Sequence, residues 1–182
     1  MRYLRPARSS VVLGALFLAQ AAFAGPGAHA QQAPAPEPAP GLYTLSPLHS
    51  GKCLGVAAPQ MGDGTATMQW SCIAGAKPQK WELFHIPGAP ADVHSFKNVN
   101  SGLCLTVRDV PANGSPAVQA KCQPNATQGW RLRAVRDTFQ LINAASNKAL
   151  TVADSSTADG AKVIQLPAGP GNNQVWGLKR TV

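Results

Sequence analysis

"PQKWELF" (Pro78–Phe84) sets Gln79 two residues ahead of Trp81. The same Gln-x-Trp returns as "QGW" (Gln128–Trp130) and "QVW" (Gln174–Trp176), 49 and then 46 residues further on. Three of the four tryptophans in the 182 residues stand in this setting. Recurrence at a nearly fixed spacing is the mark of an internal repeat.

Aligning the three sites aligns much else. A polar turn ("HSG", "NSG", "ASN") leads into a short apolar run: "KCLGVAA" from Lys52, "LCLTVRD" from Leu103, "KALTVAD" from Lys148. A glycine followed five residues later by a glutamine comes next, as Gly64 and Gln69, Gly114 and Gln119, Gly160 and Gln165. One unit of roughly 47 residues is thus written three times.

Within each unit the apolar runs are short and alternating, with Gly, Pro, Asn and Asp between them, which predicts strands joined by turns. Unit one is expected to hold strands near Leu42–Leu48, Lys52–Ala57, Thr65–Ser71 and Gln79–His85. Three units of four strands give twelve, and the expected closure is an all-β, six-stranded barrel capped by three hairpins, a β-trefoil. Residues i and i+2 of a strand face one side. Trp81, Trp130 and Trp176 are accordingly expected to fill one core, with each glutamine satisfying backbone groups beside it.

The first thirty residues read differently. Arg2, Arg5 and Arg8 precede the 14-residue apolar run Val11–Ala24, which is shorter than the roughly 20 residues a membrane span needs. The pattern is that of a secretory signal peptide (1–30), with cleavage after Ala24 or Ala30. "QQAPAPEPAP" (Gln31–Pro40) is Pro/Ala-rich and reads as a semi-rigid linker. The folded domain is expected over 41–182, in repeats of about 41–91, 92–137 and 138–182, with no membrane span after signal removal. Losing three arginines and no acid takes the formal net charge from +8 to +5, too mild to mark a nucleic-acid binder. Four cysteines in an exported chain predict two disulfides, for which the count alone leaves three connectivities.

The three copies "KCLGV…MQWSC…QKW", "LCLTV…VQAKC…QGW" and "KALTV…VIQLP…QVW" resemble the ricin B-chain type lectin repeat across essentially all of Gly41–Val182. The resemblance implies a β-trefoil with one disulfide inside each repeat that has the pair: Cys53–Cys72 and Cys104–Cys122. Their similar separations agree with it, and Ala149 and Ala168 stand at the corresponding places of repeat three. It also implies a sugar pocket built from an Asp after the Cys-Leu pair, an aromatic ring two residues before the second Cys, and Asn-Gln before the Trp. Here the Asp position holds Gly55, Thr106 and Thr151; the ring position Trp70, Ala120 and Leu166; the Asn position Pro78, Thr127 and Asn173.

Repeat one is therefore the expected carbohydrate site, with Trp70 as stacking surface, Gln79 as amide and Asp63, in the preceding loop, as a replacement acid. Trp70 reads equally as a half-exposed packing residue, and Asp63 as a turn residue. Repeat three offers Asn173, Gln174 and Asp154 without a ring. Catalysis is not expected. His49, His85 and His94 lack metal-ligand spacing, and no cofactor is implied. Asp154 with Asp159 reads as a polar loop, and Arg131, Arg133 and Arg136 as a solvated strand face. The expected function is that of a secreted lectin, extracellular or periplasmic, binding a glycan or glycoconjugate through a degenerate, weak site. The alternative is a targeting subunit with a protein or toxin partner, since the layout is similar to the trefoil cell-binding subunits of cytolethal distending toxins.

Overall fold

A computed structural model describes residues 36–57 and 61–181. The signal peptide and the first half of the Pro/Ala-rich stretch lie outside the described residues. Within them the chain forms twelve strands, four per repeat. Repeat one holds β1 (Gly41–Pro47), β2 (Cys53–Val56), β3 (Thr67–Trp70) and β4 (Trp81–His85); repeat two holds β5 (Val93–Asn98), β6 (Cys104–Val107), β7 (Ala117–Ala120) and β8 (Trp130–Val135). Repeat three holds β9 (Thr138–Asn143), β10 (Ala149–Val152), β11 (Val163–Leu166) and β12 (Trp176–Arg180). These strands fall within two residues of those expected in repeat one.

The first and last strands of each repeat close a ring: β1 pairs β4, β4 pairs β5, β5 pairs β8, β8 pairs β9, β9 pairs β12 and β12 returns to β1. The middle strands form the hairpins β2–β3, β6–β7 and β10–β11. Single bridges Ala66 to Val118, Pro116 to Ile164 and Lys162 to Met68 join the hairpins in a cycle. This six-stranded barrel with a hairpin triplet is the expected β-trefoil.

Each repeated tryptophan opens the fourth strand of its unit and lies between two neighbours. Trp81 is opposite Tyr43 and Asn98, Trp130 opposite His94 and Asn143, Trp176 opposite Phe139 and Pro47. All three are 0 % exposed. Their indole N–H groups donate to the carbonyls of Leu54 (3.0 Å), Leu105 (3.1 Å) and Leu150 (2.9 Å), which ties barrel to hairpin three times over. A buried indole N–H needs such a partner.

The glutamine of Gln-x-Trp is not on the strand. Gln79, Gln128 and Gln174 each end a 3₁₀ turn: Lys77–Gln79, Ala126–Gln128 and Asn172–Gln174. Pro78 in the first supplies a preset φ where a missing N–H does no harm, and in the second the Asn125 side chain accepts the Gln128 amide N–H. The turn swings each glutamine from the barrel to the loop after the second cysteine position. There its oxygen accepts the N–H of Ile73 (2.8 Å), Gln123 (2.8 Å) or Gly169 (2.7 Å), and its NH₂ donates to the carbonyl of Ser71 (2.9 Å), Lys121 (2.8 Å) or Pro167 (3.1 Å).

The second set of glutamines links repeats. Gln69 donates to the carbonyls of Ser156 and Ala158, Gln119 to that of Gly62, and Gln165 to those of Asp109, Val110 and Ala112. All three are 0 % exposed, and each reaches into a different repeat from its own. The disulfides are Cys53–Cys72 and Cys104–Cys122.

The end of the Pro/Ala-rich stretch is fastened to the barrel. Glu37 Oε1 lies 2.6 Å from His94 Nε2, Tyr43 Oη donates to the Ala39 carbonyl at 2.7 Å, and Arg180 donates to the Pro40 carbonyl at 3.4 Å.

Candidate functional site

Strand β3 alternates as its sequence demands: Thr67 and Gln69 are buried, Met68 faces outward half-buried, and Trp70 is 44 % exposed. On β2, Gly55 is opposite Met68 and Cys53 is opposite Trp70. Gly55 has no side chain to fill the space between them. Thr106 and Thr151 occupy that place in the other repeats and are buried.

The space left by Gly55 is part of a pocket of about 330 Å³. Trp70, Met68, Ile73, Val56 and Pro78 line it, with Gln79 as its one polar side chain. The geometry thus gathers Gly55, Trp70, Pro78 and Gln79 from three separate segments. A β-carbon at Gly55 would meet Gln79 Cγ at 3.2 Å and the Pro78 carbonyl oxygen at 3.5 Å.

Asp63 does not join them. Its Oδ1 lies 2.6 Å from Arg108 Nη2 in repeat two, and it lines a pocket of about 340 Å³ there with Thr106, Asn125, Thr127 and Lys121. The loop carrying it runs toward the neighbouring hairpin, where the Gly64 N–H bonds the Gln119 carbonyl at 2.8 Å. Repeat two therefore has a polar pocket with a borrowed carboxylate but, with Ala120 in the ring position, no stacking surface.

In repeat three Asn173 donates to the Val152 carbonyl at 2.9 Å, Gln174 is spent on the backbone as above, and Thr151 bonds the Ala149 carbonyl at 2.8 Å. Asp154 is exposed in a turn at φ +54°, a left-handed conformation that Asp tolerates.

Asp159 is the residue the sequence did not place. It comes from repeat three but serves repeat one: Oδ1 accepts the backbone N–H of Ser71 at 2.7 Å, and Lys52 Nζ lies 2.7 Å from the same oxygen. The hydrogen bond from Lys52, joined by those from the Ser71 hydroxyl and N–H, holds its carboxyl below the ordinary aspartate value. Next to it, the ring edge of Trp70 lies over Gly160, where a β-carbon would stand 3.6 Å from Cζ3. The Trp70 shelf is thus propped from the neighbouring repeat. The signal for Asp159 was present only as its position beside the repeated Gly160.

The histidines disperse. His49 Nε2 is 2.9 Å from the Ser156 carbonyl, while His85 and His94 meet edge-on with centroids 6.1 Å apart. Among the described residues no group of three His, Cys, Asp or Glu side chains is placed to hold a metal, and no helix is long and apolar enough to cross a membrane. Arg131 pairs with Asp92 at 3.1 Å and Arg133 bonds Gln140 on β8, whereas Arg136 leaves the expected strand face for the turn that follows, at φ +57°.

The family model for ricin-type β-trefoil lectin-like domains matches residues 30–120, 79–166 and 126–181. No curated protein matches the chain. Among solved structures, the designed threefold-symmetric protein ThreeFoil is 33 % identical, with a TM-score of 0.70 over 75 % of this chain and 96 % of its own. The Rhizoctonia solani agglutinin is 21 % identical (TM-score 0.72, covering 80 % of this chain and 99 % of that one). A chain of the Haemophilus ducreyi cytolethal distending toxin is 17 % identical (TM-score 0.62, 78 % and 87 %). At such identities the last two speak for the fold alone. The tripled Gln-x-Trp unit, the closed barrel and the matching family model together place this chain in the ricin-type β-trefoil lectin family.

Proposed function

We propose that this is a secreted carbohydrate-binding module whose working site is the pocket of repeat one. The reading is carried by Trp70, which is 44 % exposed at a pocket while the other three tryptophans are 0 % exposed. An indole left half in water, propped by Gly160 and beside a concave surface, suits stacking against the apolar face of a sugar ring. Gln79 already has one backbone partner at each end of its amide. At 6 % exposure both ends are spent on the backbone, and stacking on Trp70 carries the contact. Affinity is expected in the millimolar range, about 4 kcal/mol, because Gly55 and Pro78 offer no polar side chain. The two disulfides and the sequence of residues 1–30 support export.

Glycan-array screening of the purified protein tests this, with Trp70→Ala as control. Binding abolished by that substitution supports the assignment. Binding that survives it but is lost in Asn173→Ala moves the site to repeat three, and binding lost instead in Asp63→Ala moves it to repeat two.

A second reading is favoured by Ile73, a large apolar side chain 59 % exposed beside Trp70. It is that of a targeting subunit for a protein partner. An empty array together with a specific partner in pull-down would select it.

A further inference from the structure

We infer that the repeat-one pocket selects 6-deoxy sugars, in which a methyl group stands where a hydroxymethyl group would otherwise be. The inference rests on the proposed site and specifies its ligand.

Three observations converge on it. Position 55 has no side chain, and Pro78 has neither a polar side chain nor a backbone N–H. Gln79 is 6 % exposed and holds Ile73 and Ser71 by its two amide ends. The remaining lining side chains, among them Val56, Met68, Ile73 and Ala76, are apolar. A sugar hydroxyl turned into such a wall gives up its water and gains no partner. A methyl group turned the same way leaves water for carbon contacts. The pocket also extends from the Trp70 shelf to Gly55, whose missing side chain leaves open the space before Gln79 and Pro78. Stacking on Trp70 alone would accept any pyranose with a suitable face. The apolar pocket beside it makes the distinction.

The test uses sugar pairs that differ at one group: D-fucose against D-galactose, and 6-deoxy-D-glucose against glucose. Each is titrated into the purified protein and followed by tryptophan fluorescence. The methyl-bearing member should bind about fourfold more tightly or better, the ratio given by burying one methyl group. Ile73→Asn places an amide at the exposed edge of the pocket without touching the core, and should bring the ratio toward one. Its fold is checked by circular dichroism. Equal or tighter binding of galactose and glucose would overturn the inference while leaving the repeat-one lectin site standing. Absence of binding by every sugar would overturn both.

Discussion

Gln79 Oε1 accepts the backbone N–H of Ile73 at 2.8 Å, and through that bond the most regular feature of the sequence fixes one wall of its least regular site. The same glutamine occurs three times with the same two backbone partners, so its first duty is scaffolding. What differs between repeats is what the scaffold carries: Trp70 and Ile73 in the first, Ala120 and Gln123 in the second, Leu166 and Gly169 in the third.

Removing that clamp should cost similar amounts in every repeat. Gln79→Ala, Gln128→Ala and Gln174→Ala each leave a backbone N–H and a carbonyl without their partner, at about 1–3 kcal/mol. Urea denaturation gives the totals. Amide exchange should rise at Ile73, Gln123 or Gly169 respectively, and unchanged exchange at those amides would refute the clamp.

The four tryptophans should separate into two classes. Trp81→Ala, Trp130→Ala and Trp176→Ala each empty a fully buried site and should lose about 3–5 kcal/mol. Trp70→Ala should lose about 1 kcal/mol or less, as a half-exposed side chain does. Equal losses in all four would make Trp70 a core residue.

Each disulfide closes a loop of about 20 residues and should contribute about 3 kcal/mol. Peptide mapping under non-reducing conditions should recover Cys53 with Cys72 and Cys104 with Cys122. Cys53→Ala/Cys72→Ala, which frees the loop behind Trp70, should lower sugar affinity as well as stability. The matching pair in repeat two should lower stability alone.

The tie from Asp159 to Lys52 and Ser71 should fail on acidification. A carboxyl whose folded pKa lies below its unfolded value contributes stability above the unfolded pKa, and that contribution is lost as pH falls through the folded pKa. The Ser71 amide resonance should therefore move with a midpoint below the ordinary aspartate value, and Asp159→Asn should abolish the transition. Sugar affinity should fall over the same interval if the prop beneath Trp70 matters for binding.

Much of the fold was legible because a repeat reports itself: one Trp, two Gln and one Gly recur in register, and strand alternation fills in the rest. What escaped has a common physical cause. Gln79 was expected on a strand, yet Pro78 favours a 3₁₀ turn just before β4, so the i, i+2 relation to Trp81 does not hold. Asp63 was grouped with Trp70 because the two are near in sequence, but its loop runs on to repeat two. Asp159 was set aside as part of a polar loop, yet it crosses from repeat three to repeat one. The alignment of repeats relates equivalent positions and carries no information on which repeat a loop leans over. Nor does a Pro/Ala-rich composition reveal that Glu37 meets His94 in β5.

The central claim, a sugar site on Trp70, is tested most directly by the indole N–H resonances in a ¹⁵N-labelled sample titrated with 6-deoxy-D-glucose and D-fucose. The indoles of Trp81, Trp130 and Trp176 are locked to the carbonyls of Leu54, Leu105 and Leu150 and should stay still, while the Trp70 signal moves in a saturable, millimolar titration. A Trp70 resonance that does not move while other signals respond to sugar, or no response anywhere in the spectrum, would contradict it.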